Sequence, residues 1–427
     1  MLYKLEIENF FSIRDAQVLD LTVAPNVPDS EGRYAEIFSG SVLRAPKVIA
    51  LYGANASGKT TVLRALEFII AMVRDSAQRS TPGFPCERFN DNDSCSRPIR
   101  LAIELGGMMN YSPEVMKRAQ AGETVEEGLY RYEILIEVKD GTAQRIAAET
   151  LRQKPNGQGK WQRVFERDAE GKVKDSRSFP LTGYHHLLNT LRPNVSVISS
   201  FAMFQHPTAS LFAQLAQKAI FHLANAQESD LQIIKYLVNQ PDILSKLNKE
   251  LNRIDVGVEG MRFVDTPNGP APMFKHSGLQ VEMPWPLESQ GTRTFIRMFP
   301  GIAVTLAQGG IFATDELDAS IHPLVLPEVL RWFHDKKARN SLDAQLWFSC
   351  HSVSLLDELN KEEIVICEKD RHGRTSVHSL MDVKVRRDEN HYRKYLSGAY
   401  GGIPQIGSET RTSEKNADGA RRQVRAS

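Results

Sequence analysis

The chain is short of the features that mark several protein classes. Its 427 residues include only four cysteines, and no two of them form a CxxC pair. We therefore expect neither a disulfide framework nor a structural zinc site, and reduced thiols in the cytoplasm are the default. The formal net charge is only +1, which excludes a globally basic surface for nucleic acid, so any such contact must be local.

Long hydrophobic runs are also missing. No stretch of eighteen consecutive apolar residues occurs, and the opening MLYKLEIENF alternates like a strand rather than resembling a signal peptide. We expect a cytoplasmic protein without a membrane partner. A chain of this length can bury a large core, either as one α/β domain with sizeable insertions or as two domains.

The most informative feature present is the segment GANASGKT at residues 53–60. It fits the pattern G-x4-GK-[ST], follows the apolar run 48–51 and precedes a helical pattern over 61–73. Backbone N–H groups of such a loop wrap phosphates, and the helix N-terminus adds its positive end. Lys59 would bridge the β- and γ-phosphates and Thr60 would hold Mg²⁺, although an ordinary glycine-rich turn has the same letters. The predicted nucleotide-binding residues are Gly53, Ala54, Asn55, Ala56, Ser57, Gly58, Lys59, Thr60 and Thr61.

Changes of pattern along the chain predict five segments. Residues 1–96 form the first part of a nucleotide-binding head, and 97–183 alternate like antiparallel strands, with turn signals such as Asp140-Gly141. Residues 184–260 carry a helical stripe that is too short and interrupted for a long coiled coil. Residues 261–406 resume the head. The tail 407–427 has few large apolar side chains and is expected to be disordered.

Two later strands end in polar residues. The run from Gly310 ends in Asp315 and Glu316, of which the first would hold Mg²⁺ and the second would polarise an attacking water. A second apolar run ends in His351, which could hydrogen-bond a γ-phosphate. A polar residue that merely closes a strand is the simpler interpretation of His351 when it is taken alone.

A third candidate site is the start of a helix. Glu288-Ser289-Gln290-Gly291-Thr292 precedes a helical run, and a Ser and a Gly at a helix N-terminus can hold an anion through backbone amides. The same letters also make an ordinary N-cap, which composition alone favours.

The order of these motifs resembles that of the ABC-type ATPases of the SMC, RecF and recombination-repair branch. The opening LEIENFFSIRD is similar to the N-terminal strand of those proteins. More narrowly, DELDASIHP, ESQGT and YLSGAYGGIP resemble the fifteenth subfamily of small AAA proteins, the RloA-like or abortive-infection ATPases. This resemblance implies an α/β fold, namely an ABC-type P-loop NTPase head with an antiparallel β insertion and a short helical insertion.

The same resemblance implies an ATPase and a role for each catalytic candidate. Lys59 and Thr60 would bind phosphate and Mg²⁺, and Asp315 would support the metal. Glu316 would be the general base for attack on the γ-phosphate, and His351 resembles the switch histidine of the family.

It further implies an ATP-dependent homodimer. Ser289 and Gly291 match the start of the signature helix, which in such proteins closes on ATP held by the opposite subunit, and Asp318 lies where the dimer-contacting D-loop begins. The signature departs from LSGGQ by carrying Gln290 and Thr292. No glutamine of the segment 84–105 fits the Q-loop residue that senses Mg²⁺ in relatives.

Three functions follow as alternatives. The first is a hydrolysing, dimerising switch in bacterial anti-phage defence, acting with a separately encoded effector such as a nuclease or toxin. The second is a RecF-like repair ATPase that binds DNA directly. Basic and aromatic residues in 384–395 could contact DNA, although a solvated helix face is the simpler interpretation of them. The third is a nucleotide-dependent scaffold with negligible turnover.

Overall fold

The computed structural model describes residues 1–79, 84–109, 113–223, 230–254, 257–267, 269–319, 321, 323–383 and 390–403. The tail that is predicted to be disordered lies outside the described residues, and so does the segment 384–389, which contains three of the basic residues considered for DNA binding.

The strands of the described chain form two large sheets, a three-stranded sheet and a small pair. They are β1 (Leu2–Glu8), β2 (Gln17–Asp20), β3 (Tyr34–Glu36), β4 (Arg44–Pro46), β5 (Val48–Tyr52), β6 (Ile99–Met108), β7 (Glu127–Lys139), β8 (Thr142–Pro155), β9 (Gln162–Arg167), β10 (Val173–Lys174), β11 (Ala219–His222), β12 (Val258–Thr266), β13 (Gly269–His276), β14 (Met283–Pro284), β15 (Ile311–Thr314), β16 (Gln345–Ser349), β17 (Ile364–Lys369) and β18 (Thr375–Ser379).

The α-helices range from one turn to five. They are α1 (Lys59–Asp75), α2 (Pro113–Gln120), α3 (His185–Leu188), α4 (Val197–Ala202), α5 (Pro207–Gln217), α6 (Asp230–Val238), α7 (Pro241–Ile254), α8 (Gln290–Gln308), α9 (Leu326–His334) and α10 (His391–Leu396). Within the described ranges, no helix is both long and apolar enough to cross a membrane.

The central sheet has the order β11-β15-β16-β5-β17-β18 and is parallel except for β18. All five residues of β5 are buried, as expected for a strand with covered faces. Ile49 and Leu51 point into the core that contains α1, whereas Val48, Ala50 and Tyr52 point into the core that contains α8 and α9. Helices therefore cover both faces of this sheet.

The second large sheet is antiparallel, with the order β10-β9-β8-β7-β6-β1-β2. Its strand β6 pairs with β1 over most of their length, so the strands predicted for residues 97–183 continue the N-terminal hairpin instead of forming a detached arm. The apolar stripe of α1, through Val62, Leu66 and Ile69, is buried between this sheet and the central sheet. The division of the chain into five segments remains a prediction.

Residues 184–260, predicted as a helical segment, also contain the strand β11 and the first residues of β12. Residues of β11 pair in parallel with β15 and form the edge of the central sheet. The run Ala219-Ile220-Phe221-His222 is only four residues long and lies between two helices. It is too short for an alternating pattern to indicate a strand. The three-stranded sheet β12-β13-β14, which precedes α8, was also not predicted.

Candidate functional site: a phosphate-binding loop and its acidic partners

The parallel order of the central sheet brings the predicted motifs to one edge. Strands β5, β16 and β15 are adjacent and run in the same direction, so the residues that follow them meet at their carboxyl ends. Gly53 follows β5, Cys350 and His351 follow β16, and Asp315 and Glu316 follow β15. Three motifs separated by up to about three hundred residues therefore form one site.

The backbone of the loop 53–60 depends on its glycines. Gly53 and Gly58 have φ angles of 152° and 107°. A Cβ atom at Gly53 would lie 2.3 Å from the carbonyl oxygen of Cys367, and one at Gly58 would lie 2.4 Å from Oγ1 of Thr375. Helix α1 starts at Lys59 without a side-chain cap, so its first N–H groups remain available to an anion.

The Lys59 side chain lies across this loop. Its Nζ donates hydrogen bonds to the carbonyl oxygens of Gly53 at 2.8 Å and Ala54 at 3.1 Å. Burial lowers the pKa of Lys59, and the nearby negative charges of Asp315 and Glu316 act in the opposite direction. The ammonium group is thus confined to the position where a bound phosphate would need a cation.

Thr60 and Asp315 are in direct contact. The Thr60 hydroxyl donates to Oδ2 of Asp315 over 2.8 Å. A hydroxyl and a carboxylate oxygen side by side are the hard oxygen ligands that Mg²⁺ prefers, and this metal usually takes only one or two protein ligands together with phosphate. These two residues therefore fit the predicted metal site.

Ser349, the last residue of β16, organises the acidic pair and was missed by the sequence analysis. Its hydroxyl donates to Oδ1 of Asp315 and accepts a hydrogen bond of 2.7 Å from the main-chain N–H of Glu316. Glu316 has a φ of 50°, which turns the chain sharply after β15 and leaves its side chain exposed at the edge. No periodic signal distinguishes such a serine from any other at a strand end.

The next turn joins the predicted D-loop residue to the predicted switch residue. The main-chain N–H of His351 donates to Oδ2 of Asp318 over 3.0 Å, and the imidazole of His351 is exposed. The main-chain N–H of Leu317 donates to the carbonyl oxygen of Ser349 at 3.0 Å. The segments after β15 and β16 are therefore fastened to each other.

The signature segment lies at the start of α8. Ser289 is the N-cap, and its hydroxyl accepts a hydrogen bond of 3.0 Å from the N–H of Thr292. Glu288 accepts from the N–H of Ser289 at 2.7 Å and contacts His276 at 2.9 Å. Among the described residues, no hydrogen bond joins Ser289 or Gly291 to the loop 53–60, so the two halves of the predicted site are not fastened together within one chain.

A groove of about 560 Å³ opens beside the loop and was not predicted. Thr60 and Thr61 form one wall, and Phe11, Phe89 and His372 contribute rings around it. Aromatic and imidazole rings beside a phosphate-binding loop suit a stacked base. No glutamine occurs between Phe84 and Leu105, so the structure adds no Q-loop residue there.

Sequence comparison identifies the family. The model of AAA_21, described as "AAA domain, putative AbiEii toxin, Type IV TA system", matches residues 48–357. The chain belongs to this family. The predicted AAA-family protein is thereby confirmed, and this AAA_21 protein is a P-loop ATPase by family. The resemblance to the fifteenth subfamily of AAA proteins stays a prediction.

Two solved structures are similar to the chain. One is an SMC head bound to the C-winged helix domain of ScpA, with 13% identity, a TM-score of 0.43, and coverage of 88% of this chain and 96% of that one. The other is the SMC head domain from Thermotoga maritima, with 11% identity, a TM-score of 0.39, and coverage of 90% and 99%. No curated protein matches the sequence. The α/β class of the P-loop NTPase fold is seen directly in the parallel sheet and the loop that follows β5.

Proposed function

We propose that this AAA_21 protein binds ATP together with Mg²⁺ at the loop 53–60 and hydrolyses it. The observation that carries the proposal is the 2.8 Å contact between Thr60 and Asp315, two residues 255 positions apart in the chain. The hydroxyl is at the start of α1, which follows β5, and the carboxylate follows β15, which is separated from β5 by β16. Their pairing at a phosphate-binding loop supports a shared Mg²⁺ site.

In this proposal the residues divide the reaction between them. Mg²⁺ would compensate charge on the β- and γ-phosphate oxygens. Thr60 and Asp315 hold its coordination sphere, and Lys59 exchanges its loop carbonyls for phosphate oxygens. Glu316 accepts the proton of the attacking water, and His351 donates a hydrogen bond to the γ-phosphate.

A second copy of the chain completes the proposed site. The start of α8 at Ser289 and Gly291 is exposed or half-buried, and backbone N–H groups of a helix start can bind an anion. Among the described residues, neither Ser289 nor Gly291 makes a hydrogen bond to the loop 53–60 of its own chain. ATP bound by one copy would then join the two, with Asp318 near the contact. Hydrolysis would release the dimer.

The biological role that we propose is regulation of a cytoplasmic anti-phage defence system. The family description names a putative toxin of a toxin–antitoxin system, which supports a role in such a system. The separately encoded effector, such as a nuclease or toxin, rests on the resemblance to abortive-infection ATPases. The chain itself would be the sensor or regulator. Co-expression with the genes adjacent to its own, followed by measurement of phage plaquing efficiency, tests this role, and full plaquing by a broad phage panel would speak against it.

The variant Glu316→Gln tests the enzymatic proposal. The control is Glu358→Gln, which makes the same substitution at an exposed carboxylate outside the proposed site. We expect the first variant to lose phosphate release, keep ATP binding and accumulate as a dimer in light scattering, and the second to behave as the wild type. Equal phosphate release by Glu316→Gln and the wild type would show that the assigned base is wrong. ATP-dependent dimers without turnover in the wild type would support the scaffold instead.

A separate measurement addresses direct DNA binding. Arg393 and Lys394, on α10, are exposed basic residues within the described chain. Tight, salt-dependent binding of the purified protein to DNA that is lost in Arg393→Ala/Lys394→Ala would favour the repair ATPase. We expect no such binding, because the formal net charge is only +1.

A further inference from the structure

Three side-chain hydroxyl oxygens and one main-chain carbonyl oxygen form a hydrogen-bonded chain of four atoms beside the phosphate-binding loop. Oγ1 of Thr61, on α1, lies 3.1 Å from Oγ of Ser12, in the turn between β1 and β2. Oγ of Ser12 lies 2.9 Å from Oγ1 of Thr375, the first residue of β18. Oγ1 of Thr375 lies 2.9 Å from the carbonyl oxygen of Ser57.

The hydroxyl of Thr375 is the donor to two acceptors, the carbonyl oxygen of Ser57 and Oγ of Ser12. It carries a single hydrogen, so it donates to one of them at a time. Between Ser12 and Thr61 either hydroxyl can be the donor. Thr375 therefore links the turn that contains Ser12 to the backbone at Ser57.

The two ends of the chain bracket the residues that contact phosphate and metal. Ser57 directly precedes and Thr61 directly follows the triplet of residues 58–60, Gly58-Lys59-Thr60. Thr375 is only 3% exposed, and it lies so close to Gly58 that a Cβ there would meet it at 2.4 Å. Its main-chain N–H also donates to the carbonyl oxygen of Ser12 at 2.7 Å. The triplet is therefore held at both of its ends and along its outer side.

We propose that Thr375 and Ser12 are positioning residues for the triphosphate-binding triplet, an inference that rests on the proposed nucleotide site. Thr375 does not need to touch the nucleotide, whereas Ser12 also lines the groove beside the loop. They fix the backbone of residues 57–61 so that its N–H groups and the Thr60 hydroxyl stay in the geometry that the triphosphate and the metal require. Loss of one hydroxyl leaves a buried polar neighbour unpaired and the triplet less confined.

The test compares Thr375→Val, Ser12→Ala and the double variant with the wild-type chain. Binding of MgATP and of Mg²⁺-tripolyphosphate is measured by calorimetry, and thermal melting is recorded for each protein. We expect each single variant to bind both ligands about tenfold more weakly, as for one net buried hydrogen bond. The double variant should be little weaker than either single variant, because each breaks the same chain.

Two controls make the result specific. Thr375→Ser keeps the hydroxyl and should bind both ligands as the wild type does, and Ser12→Ala carries the test if Thr375→Val does not fold. Ser376→Ala, on the exposed face of the same strand, should bind as the wild type does. Unchanged affinity in Thr375→Val, a lower melting temperature without loss of affinity, or additive effects in the double variant would overturn the inference. A wild-type chain that binds neither ligand would overturn the proposed function itself.

Discussion

The carboxylate of Asp318 accepts a hydrogen bond of 3.0 Å from the main-chain N–H of His351. These residues follow different strands, β15 and β16, and the bond fixes the backbone from which the imidazole of His351 projects. A carboxylate that accepts from a backbone N–H makes a charge-assisted hydrogen bond, which is stronger than a neutral one. Asp318 is thus able to orient His351 within a single chain, independently of any contact with a second copy.

Asp318→Ala is expected to slow ATP cleavage while leaving ATP binding almost unchanged. The reason is that the bond orients His351 and does not reach the loop 53–60. We expect about a tenfold lower rate of phosphate release in a single turnover, the effect of about 1.4 kcal/mol. Asp318→Asn retains a carbonyl acceptor and should lose less. Equal rates in Asp318→Ala and the wild type would remove this role.

Ser349→Ala is expected to disturb the acidic pair. The hydroxyl of Ser349 contacts Asp315 and also accepts from the N–H of Glu316, so its loss frees both residues. We expect about a tenfold loss of turnover and a higher Mg²⁺ requirement, which a titration of phosphate release against Mg²⁺ would measure. Ser354→Ala, at an exposed position shortly after the same strand, is the control. An unchanged Mg²⁺ titration would contradict the assignment.

The sequence could predict the phosphate-binding loop and the acidic pair because each is a local pattern with a fixed neighbourhood. Strand β5, Lys59 and α1 follow one another within thirty residues, and so do β15, Asp315 and Glu316. Their mutual approach was implied only by the resemblance to ABC-type ATPases, and the structure shows its cause, because the parallel strands end at one edge of the sheet.

Ser349, Ser12 and Thr375 could not be predicted in the same way. Their roles depend on partners brought close only by the fold, and Ser12 and Thr375 are 363 positions apart. Hydroxyl residues are common and carry no periodicity that would mark these three. Strand β11 was missed for a different reason, because four residues between helices are too few for an alternating pattern to be recognised.

Gly402→Ala is expected to destabilise the protein and weaken nucleotide binding together. Gly402 has a φ of 69°, and a Cβ atom there would lie 2.9 Å from Cγ2 of Ile366 and 3.3 Å from the Cα of Gly53. The segment is also held by Tyr395, whose hydroxyl donates to the carbonyl oxygen of Gly402 at 3.0 Å. The backbone must shift to remove this clash, and the shift should displace Gly53 at the start of the phosphate-binding loop. We expect the free energy of unfolding to fall by about 2 kcal/mol.

The matched control for this change is Gly159→Ala. Gly159 has a φ of 75°, yet a Cβ atom there would meet nothing within 4 Å. It therefore carries the backbone strain without the clash, and we expect a smaller stability loss of about 1 kcal/mol and normal ATP affinity. Equal melting temperatures and equal affinities for the two variants would show that Gly402 does not support the loop.

Acid should weaken the second large sheet through Glu6. A hydrogen bond from Arg131 lowers the pKa of Glu6 to about 2, and burial opposes this effect without cancelling it. Because the pKa is lower in the folded protein than its ordinary value of 4.5, Glu6 stabilises the fold above about pH 4.5, and this contribution is lost as the pH falls towards 2. Arg131 also contacts Glu104 at 2.7 Å and Glu133 at 2.9 Å.

Arg131→Met tests this relationship, because it leaves these three carboxylates without their shared cation. At pH 7 we expect a loss of about 2 kcal/mol in the free energy of unfolding, measured by denaturant titration. The difference from the wild type should shrink as the pH falls from 4.5 towards 2, where the carboxylate of Glu6 begins to take up its proton. Arg145→Met breaks the exposed pair with Glu137 and an exposed hydrogen bond to the carbonyl oxygen of Ala169, so it should cost no more than about 0.5 kcal/mol. A deficit of Arg131→Met that stays constant down to pH 2 would mean that packing of the Arg131 side chain, rather than its charge, holds the sheet there.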